Sequence, residues 1–131
     1  MAARKKRSRG HPWQAVKLET VLGQVIARLR VRLGLAQGEL AELLGVSAGT
    51  ASRLEAGQVV SLDQLWHVAR ALNVSASGLL LQVEEAVHAL ESNGVSVVTR
   101  RALEPPDQDA QLLKGAALAG LLGFLLARGG K

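Results

Sequence analysis

Between Leu35 and Gly57 the chain runs LAQGELAELLGVSAGTASRLEAG, and this stretch restricts the fold more than any other. Gln37–Leu44 carries Leu40, Ala41 and Leu44 at helical spacing, and Gly45 stops it. Ser47 is an N-cap for a second helix, Ala48 to Glu55, with Leu54 and Ala51 inward and Gly57 as its terminator. Only Gly45, Val46 and Ser47 separate the two helices, too short a link for them to lie antiparallel side by side, so they must cross steeply. The second helix opens on Ala48, Gly49 and Thr50, side chains small enough to let its leading end approach another surface closely.

The flanks supply what such a helix pair needs to fold. In VLGQVIARLRVRLGL, Leu22, Val25, Ile26, Leu29 and Leu33 recur at three and four and mark one face of a first helix, which Gly34 ends. Ser61 opens a fourth helix, with Gln64 placed for a capping box and Leu62, Leu65, Val68, Ala69 and Leu72 as its buried stripe; Asn73 ends it. Ser75 caps a short fifth helix holding Leu79 and Leu80. Trp13, Trp66 and Phe124 are the only aromatic residues, so the core must come from leucine, valine and alanine; Trp66, inside a periodic helix, is expected in that core. At 131 residues there is room for one small domain and an appendage. With no cysteine, disulfide frameworks, thiolate zinc sites and cysteine nucleophiles are excluded.

Placed together, LAQGELAELLGVSAGTASRLEAG and the following SLDQLWHVARALNVSASGLL resemble the lambda-repressor-like, Cro/C1-type (XRE) helix-turn-helix family from about Leu22 to Leu81. The residues that carry the likeness are Gln37, Glu39-Leu40-Ala41, Leu44-Gly45-Val46-Ser47, Arg53-Leu54-Glu55, Gly57 and Ala71-Leu72-Asn73-Val74-Ser75. The resemblance implies an all-α fold, a five-helix helix-turn-helix domain whose third helix enters the DNA major groove. It implies base contacts from Ala48, Gly49, Ser52 and Arg53, and phosphate contacts from Gln37 and Ser47; Thr50, in the first turn of the same helix, is a further candidate for phosphate contact. It also implies a structural role for Glu55, paired with an arginine of the first helix, Arg28 or Arg30.

The chain departs from that pattern at several positions. Ala36 replaces the usual hydroxyl cap, Gly38 sits in the first turn of the second helix, Gly49 stands where a longer polar side chain is common, and Ala51 replaces a larger core residue. Neither Ala48 nor Gly49 can hydrogen-bond a base through its side chain; Ala48 can meet a thymine methyl, and Arg53 can form a bidentate pair with guanine. Direct readout therefore rests on Arg53, with Ser52 beside it. The ordinary alternative is that Arg53 is a solvated surface arginine and that Ser47 only caps.

Charge is uneven along the chain. The net charge is +5, and Arg4, Lys5, Lys6, Arg7, Arg9, Lys17, Arg28, Arg30 and Arg32 face a single acidic residue, Glu19, before position 33. Residues 1–15 are expected to be a basic flexible arm whose Arg4, Lys5, Lys6, Arg7 and Arg9 neutralise phosphates without distinguishing sequence. Trp13 is placed to anchor that arm. The basic start leads into no apolar run, which argues against a secretory signal and for a cytoplasmic protein. His11, His67 and His88 have no metal-ligand spacing, and no carboxylate pair or nucleophile constellation stands out, so neither enzyme chemistry, nor a metal, nor a cofactor is expected.

After the domain, taken as residues 16–82, comes an extension over residues 83–131. VEEAVHALESNG is amphipathic, Val95–Arg100 is a candidate short strand, and LEPPDQD, with Pro105 and Pro106, is a linker or turn. From Gly115 to Ala127 no residue is charged. That helix would be about 20 Å long, against the roughly 30 Å of hydrocarbon a membrane span must cross. Burial in protein is the better account, and a monomer this small is expected to leave part of the helix uncovered. Leu118, Leu121, Leu122, Phe124 and Leu125 are therefore expected at a homodimer or higher homo-oligomer interface, with a partner protein as the alternative occupant.

These features imply a transcriptional regulator that binds double-stranded DNA, as a dimer on a palindromic operator. Two alternatives remain. One is a protein-interaction module, antitoxin-like or phage-regulator-like, that uses the apolar C-terminal helix. The other is general nucleoid or RNA binding through the basic arm alone.

Overall fold

Three serines set the helix starts. Ser47 accepts the Thr50 amide at 3.1 Å, Ser61 the Gln64 amide at 3.1 Å and Ser75 the Gly78 amide at 2.9 Å, each satisfying a backbone donor that the helix itself leaves orphaned. The computed structural model describes residues 15–99 and 114–129. Among these the chain forms β1 (Ala15–Lys17), α1 (Leu18–Arg32), α2 (Gln37–Leu44), α3 (Ala48–Ala56), α4 (Leu62–Ala71), α5 (Ala76–Ser92), β2 (Ser96–Val98) and α6 (Gly115–Gly129). The basic residues Arg4, Lys5, Lys6, Arg7 and Arg9, Trp13, and the Pro105–Pro106 turn lie outside the described residues.

The stops fall at the expected places. Gly34, Gly45 and Gly57 all take positive φ, and Asn73 does so after α4. Ser61 and Gln64 complete a capping box, Gln64 Oε1 accepting the Ser61 amide at 3.1 Å. Ala36 has no side chain to cap α2; half of that box survives, because Glu39 Oε1 accepts the Ala36 amide at 2.7 Å.

The fold is all-α in its mass but is not the plain five-helix arrangement expected: the described residues form six helices and a short parallel sheet. β1 pairs with β2 in the register Ala15 with Ser96, Val16 with Val97 and Lys17 with Val98. Parallel strands need a long crossover, and here helices α1 to α5 are that crossover. The strand therefore ties the entrance of the helical domain to its exit, burying Val16 and Val95. Ala15 thus belongs to the folded domain rather than to an arm. α5 runs unbroken through the expected domain limit at residue 82, merging the short fifth helix with the amphipathic segment after it.

α1 lies at the centre, against α3, α5, α6 and β1. It buries Val21, Val25, Ile26 and Leu29, while Leu33 is exposed at its far end. α4 packs on α2 and α5 through Leu65, Val68 and Ala69. Two expectations for α4 are corrected. Trp66 is 53% exposed and Leu62 75% exposed; Leu65, Val68, Ala69 and Leu72 complete the inward stripe, which leaves Leu62 and Trp66, one turn apart, on the outer side.

The C-terminal helix also needs correction. Leu118, Leu122 and Leu125 are buried within the chain itself, on a surface formed by α1 and α5. The small face of α6 permits this approach: Gly115 lies against Gln24 and Gly123 against Arg28. Leu121 is half-buried, and Phe124, 60% exposed, has the Arg128 guanidinium 5.4 Å from its ring centroid. Of the expected interface residues, three are core and only Phe124 and part of Leu121 face outward. No described helix is long and apolar enough to cross a membrane.

Candidate nucleic-acid interface

The interface is built on how α3 is held. Its tail is fixed from two sides. Glu55 is 6% exposed, and its carboxylate receives Arg30 Nε at 2.6 Å, Arg30 Nη2 at 3.1 Å and Gln37 Nε2 at 2.8 Å. Arg30 also donates through Nη1 to the Leu35 carbonyl at 2.8 Å, which pins the α1–α2 turn. One guanidinium thus joins α1, the turn and α3. Hydrogen bonding to Glu55 raises the Arg30 pKa above its usual value, against the lowering effect of burial and with the added help of the Glu55 charge. The Arg30 guanidinium therefore stays charged at any pH below that already high range. Of the two first-helix arginines considered, Arg30 is the partner.

The other constraint is steric. Gly23, in the middle of α1, meets the α3 backbone so closely that a Cβ built there would fall 2.4 Å from the Glu55 carbonyl oxygen. Only glycine lets the two backbones approach in this way. Gly57, with φ of 111°, turns the chain against Thr20, where a Cβ would sit 2.8 Å from Oγ1. Neither Gly23 nor Thr20 emerged from the sequence, although a lone glycine inside a strongly periodic helix is itself a sign of close packing.

The leading end of α3 is arranged differently. Ser47, Ala48, Gly49, Ser52 and Arg53 are all exposed, Thr50 is half-buried, and Ala51 and Leu54 face inward. The first turn of α3 contains no acidic side chain, and the first amides of a helix point outward without intrahelical acceptors, which favours an anion such as phosphate. α6 packs on α1 and α5, and the expected base-contacting residues remain open to solvent. Gln37 is also within this region, half-buried, with one amide N–H committed to Glu55. The expected phosphate residues Gln37, Ser47 and Thr50 and the expected base residues Ala48, Gly49, Ser52 and Arg53 therefore all lie on α3 or at the start of α2. Among the described residues, no cluster of three or more histidine, aspartate or glutamate side chains is arranged to hold a metal ion.

A family model described as helix-turn-helix matches residues 26–79, the span from α1 to the start of α5. Two crystal structures of the clp gene regulator ClgR from Corynebacterium glutamicum are similar to this chain. One is 34% identical with a TM-score of 0.50, covering 53% of this chain and 91% of its own. The other is 32% identical with a TM-score of 0.55, covering 57% of this chain and 81% of its own. No curated protein matches the chain.

Proposed function

The chain belongs to the Cro/C1-type (XRE) helix-turn-helix family and is a DNA-binding transcriptional regulator similar to ClgR; from that premise we propose that it binds a palindromic operator as a homodimer and distinguishes sequence chiefly through Arg53. One observation carries this reading: α3 is clamped at Glu55 and exposes Ser47, Ala48, Gly49, Ser52 and Arg53. A clamped tail fixes the angle at which the helix leaves the domain, and a slender, uncharged first turn fits between two sugar–phosphate ridges.

In this reading Arg53 meets a guanine edge, Ala48 a thymine methyl, and Gly49 and Ser52 line the groove. Ser47, Thr50 and Gln37 stand nearest the phosphates, and Arg4, Lys5, Lys6, Arg7 and Arg9 add salt-dependent, sequence-independent affinity. One recognition helix covers few base pairs, so a two-fold related pair supplies the length an operator needs. A cytoplasmic location accords with a protein whose partner is DNA. Leu118, Leu122 and Leu125 are occupied by the chain's own core, so a dimer seam or a partner contact on α6 is reduced to Phe124 and part of Leu121.

Binding of the chain and of Arg53→Ala to enriched and random duplexes across a salt series tests the proposal. The chain should prefer the enriched duplex, and Arg53→Ala should lose about tenfold of that preference while keeping its salt slope. Equal binding to every duplex would point to the basic arm, and absence of binding would remove the operator reading. Deleting residues 107–131 is not the way to test the dimer, since it strips Leu118 and Leu122 from the core. Sedimentation of Phe124→Ser against the parent, with and without a palindromic duplex, is the cleaner measurement; an unchanged dimer would place the interface elsewhere.

A further inference from the structure

Thr50 spends its hydroxyl on two neighbouring side chains at the surface. Arg53 Nη2 donates to Thr50 Oγ1 at 3.2 Å, and Thr50 Oγ1 lies 3.0 Å from Ser47 Oγ, which also accepts the Thr50 amide at 3.1 Å. A guanidinium can only donate, so Thr50 Oγ1 accepts from Arg53, while either hydroxyl of the Thr50–Ser47 pair can be the donor to the other. In either case Ser47 Oγ accepts the Thr50 amide, so Ser47, Thr50 and Arg53 form one continuous hydrogen-bonded chain over the first turns of α3.

Gly49 makes room for this arrangement. A methyl at Gly49 would touch Arg53 Nη1 at 3.5 Å and Ser47 Oγ at 3.8 Å, so a longer side chain there would compete with the guanidinium for the same space. The absence of a polar reader at position 49 and the placement of Arg53 over the first turn of α3 are then two parts of one arrangement.

We propose that Thr50 is a positioning residue for DNA recognition: it holds the Arg53 guanidinium over the leading end of α3 and links it to Ser47. This rests on the reading of Arg53 as the guanine-contacting residue, and it moves Thr50 from direct phosphate contact to control of Arg53. The arrangement has a direct consequence. The arginine is held near its working position before DNA arrives, so less side-chain freedom is lost on binding.

The test uses the full chain and four variants, Thr50→Val, Thr50→Ser, Arg53→Ala and the double variant Thr50→Val/Arg53→Ala. The probes are duplexes enriched by the parent chain from a randomised library, and the same duplexes with 7-deazaguanine in place of guanine, which lacks the N7 acceptor of a bidentate arginine contact. The parent should bind the deaza duplex about tenfold more weakly. Valine keeps the shape of threonine but has no hydroxyl, so Thr50→Val should lose most of that deaza penalty. Thr50→Ser should restore it, and Thr50→Val should add nothing once Arg53 is alanine. A purely structural role for Thr50 would weaken binding to both probes equally, and that result overturns the proposal. So does a full deaza penalty in Thr50→Val with an unaltered melting temperature. If the parent enriches no duplex, the operator reading itself fails and the inference fails with it. If it enriches one whose binding is indifferent to Arg53→Ala, DNA recognition stands and the Thr50 proposal falls alone.

Discussion

At the tail of α3, Leu54 and Glu55 are buried, and Glu55 receives hydrogen bonds from α1 and from α2. Immediately before them, Ser52 and Arg53 are exposed on the other side of the helix, and the side-chain hydrogen bonds toward the leading end join residues one turn apart. The two ends of one nine-residue helix thus answer to different demands. The tail must be placed, so it is tied to neighbouring elements. The leading end must reach a partner, so it is organised only locally. The difference teaches how a short helix can be both rigidly aimed and free to insert.

Removing ties at the tail should have the largest effects on stability. Arg30→Ala leaves the Glu55 carboxylate buried beside Gln37 alone. It should cost about 3 kcal/mol, the low end for breaking a buried pair because Arg30 is itself partly exposed; chemical denaturation measures it, and a loss near zero would show that the clamp is incidental. Gly23→Ala forces a methyl against the Glu55 carbonyl and should cost about 2 kcal/mol through overpacking, visible in the same experiment. At the leading end, Ser47→Ala removes the cap of α3 and should cost about 1 kcal/mol. A cost comparable to that of Arg30→Ala would erase the contrast between the two ends. The smallest change is a gain. Gly38 in α2 is exposed with nothing within 4 Å of a built Cβ, so Gly38→Ala should add roughly 0.5–1 kcal/mol, which thermal unfolding can resolve. Gly23 and Gly38 look alike in sequence and should respond with opposite sign.

That pair also shows what the sequence could and could not disclose. Helix limits were legible because they are written locally: Ser47, Ser61 and Ser75 are caps, and Gly34, Gly45, Gly57 and Asn73 are stops. The openness of Ala48, Gly49 and Arg53 was legible through family resemblance, and Glu55 with it, although Arg28 and Arg30 could be separated only in three dimensions. What stayed hidden depends on residues far apart in the chain. β1 is three residues long, and its partner β2 begins at Ser96, on the far side of five helices; no local pattern announces that pairing. The residues from Ser75 onward read as a short fifth helix followed by a separate amphipathic segment, although Gln82 between them is no breaker; the two are one helix, α5. α6 was read as an interface because its composition shows that it must be covered but not by what; α1 and α5 supply the answer. Trp66 was assigned to the core on residue type and helical context, and the actual stripe of α4 runs past it.

The most direct measurement is amide chemical-shift mapping of the full chain as an enriched duplex is added. The account predicts that the largest changes fall on Ser47, Ala48, Gly49, Ser52 and Arg53, with Leu118, Leu122 and Leu125 of α6 little altered. Unchanged amides along the leading end of α3, with the main response on the outer face of α4 or α6, would contradict it.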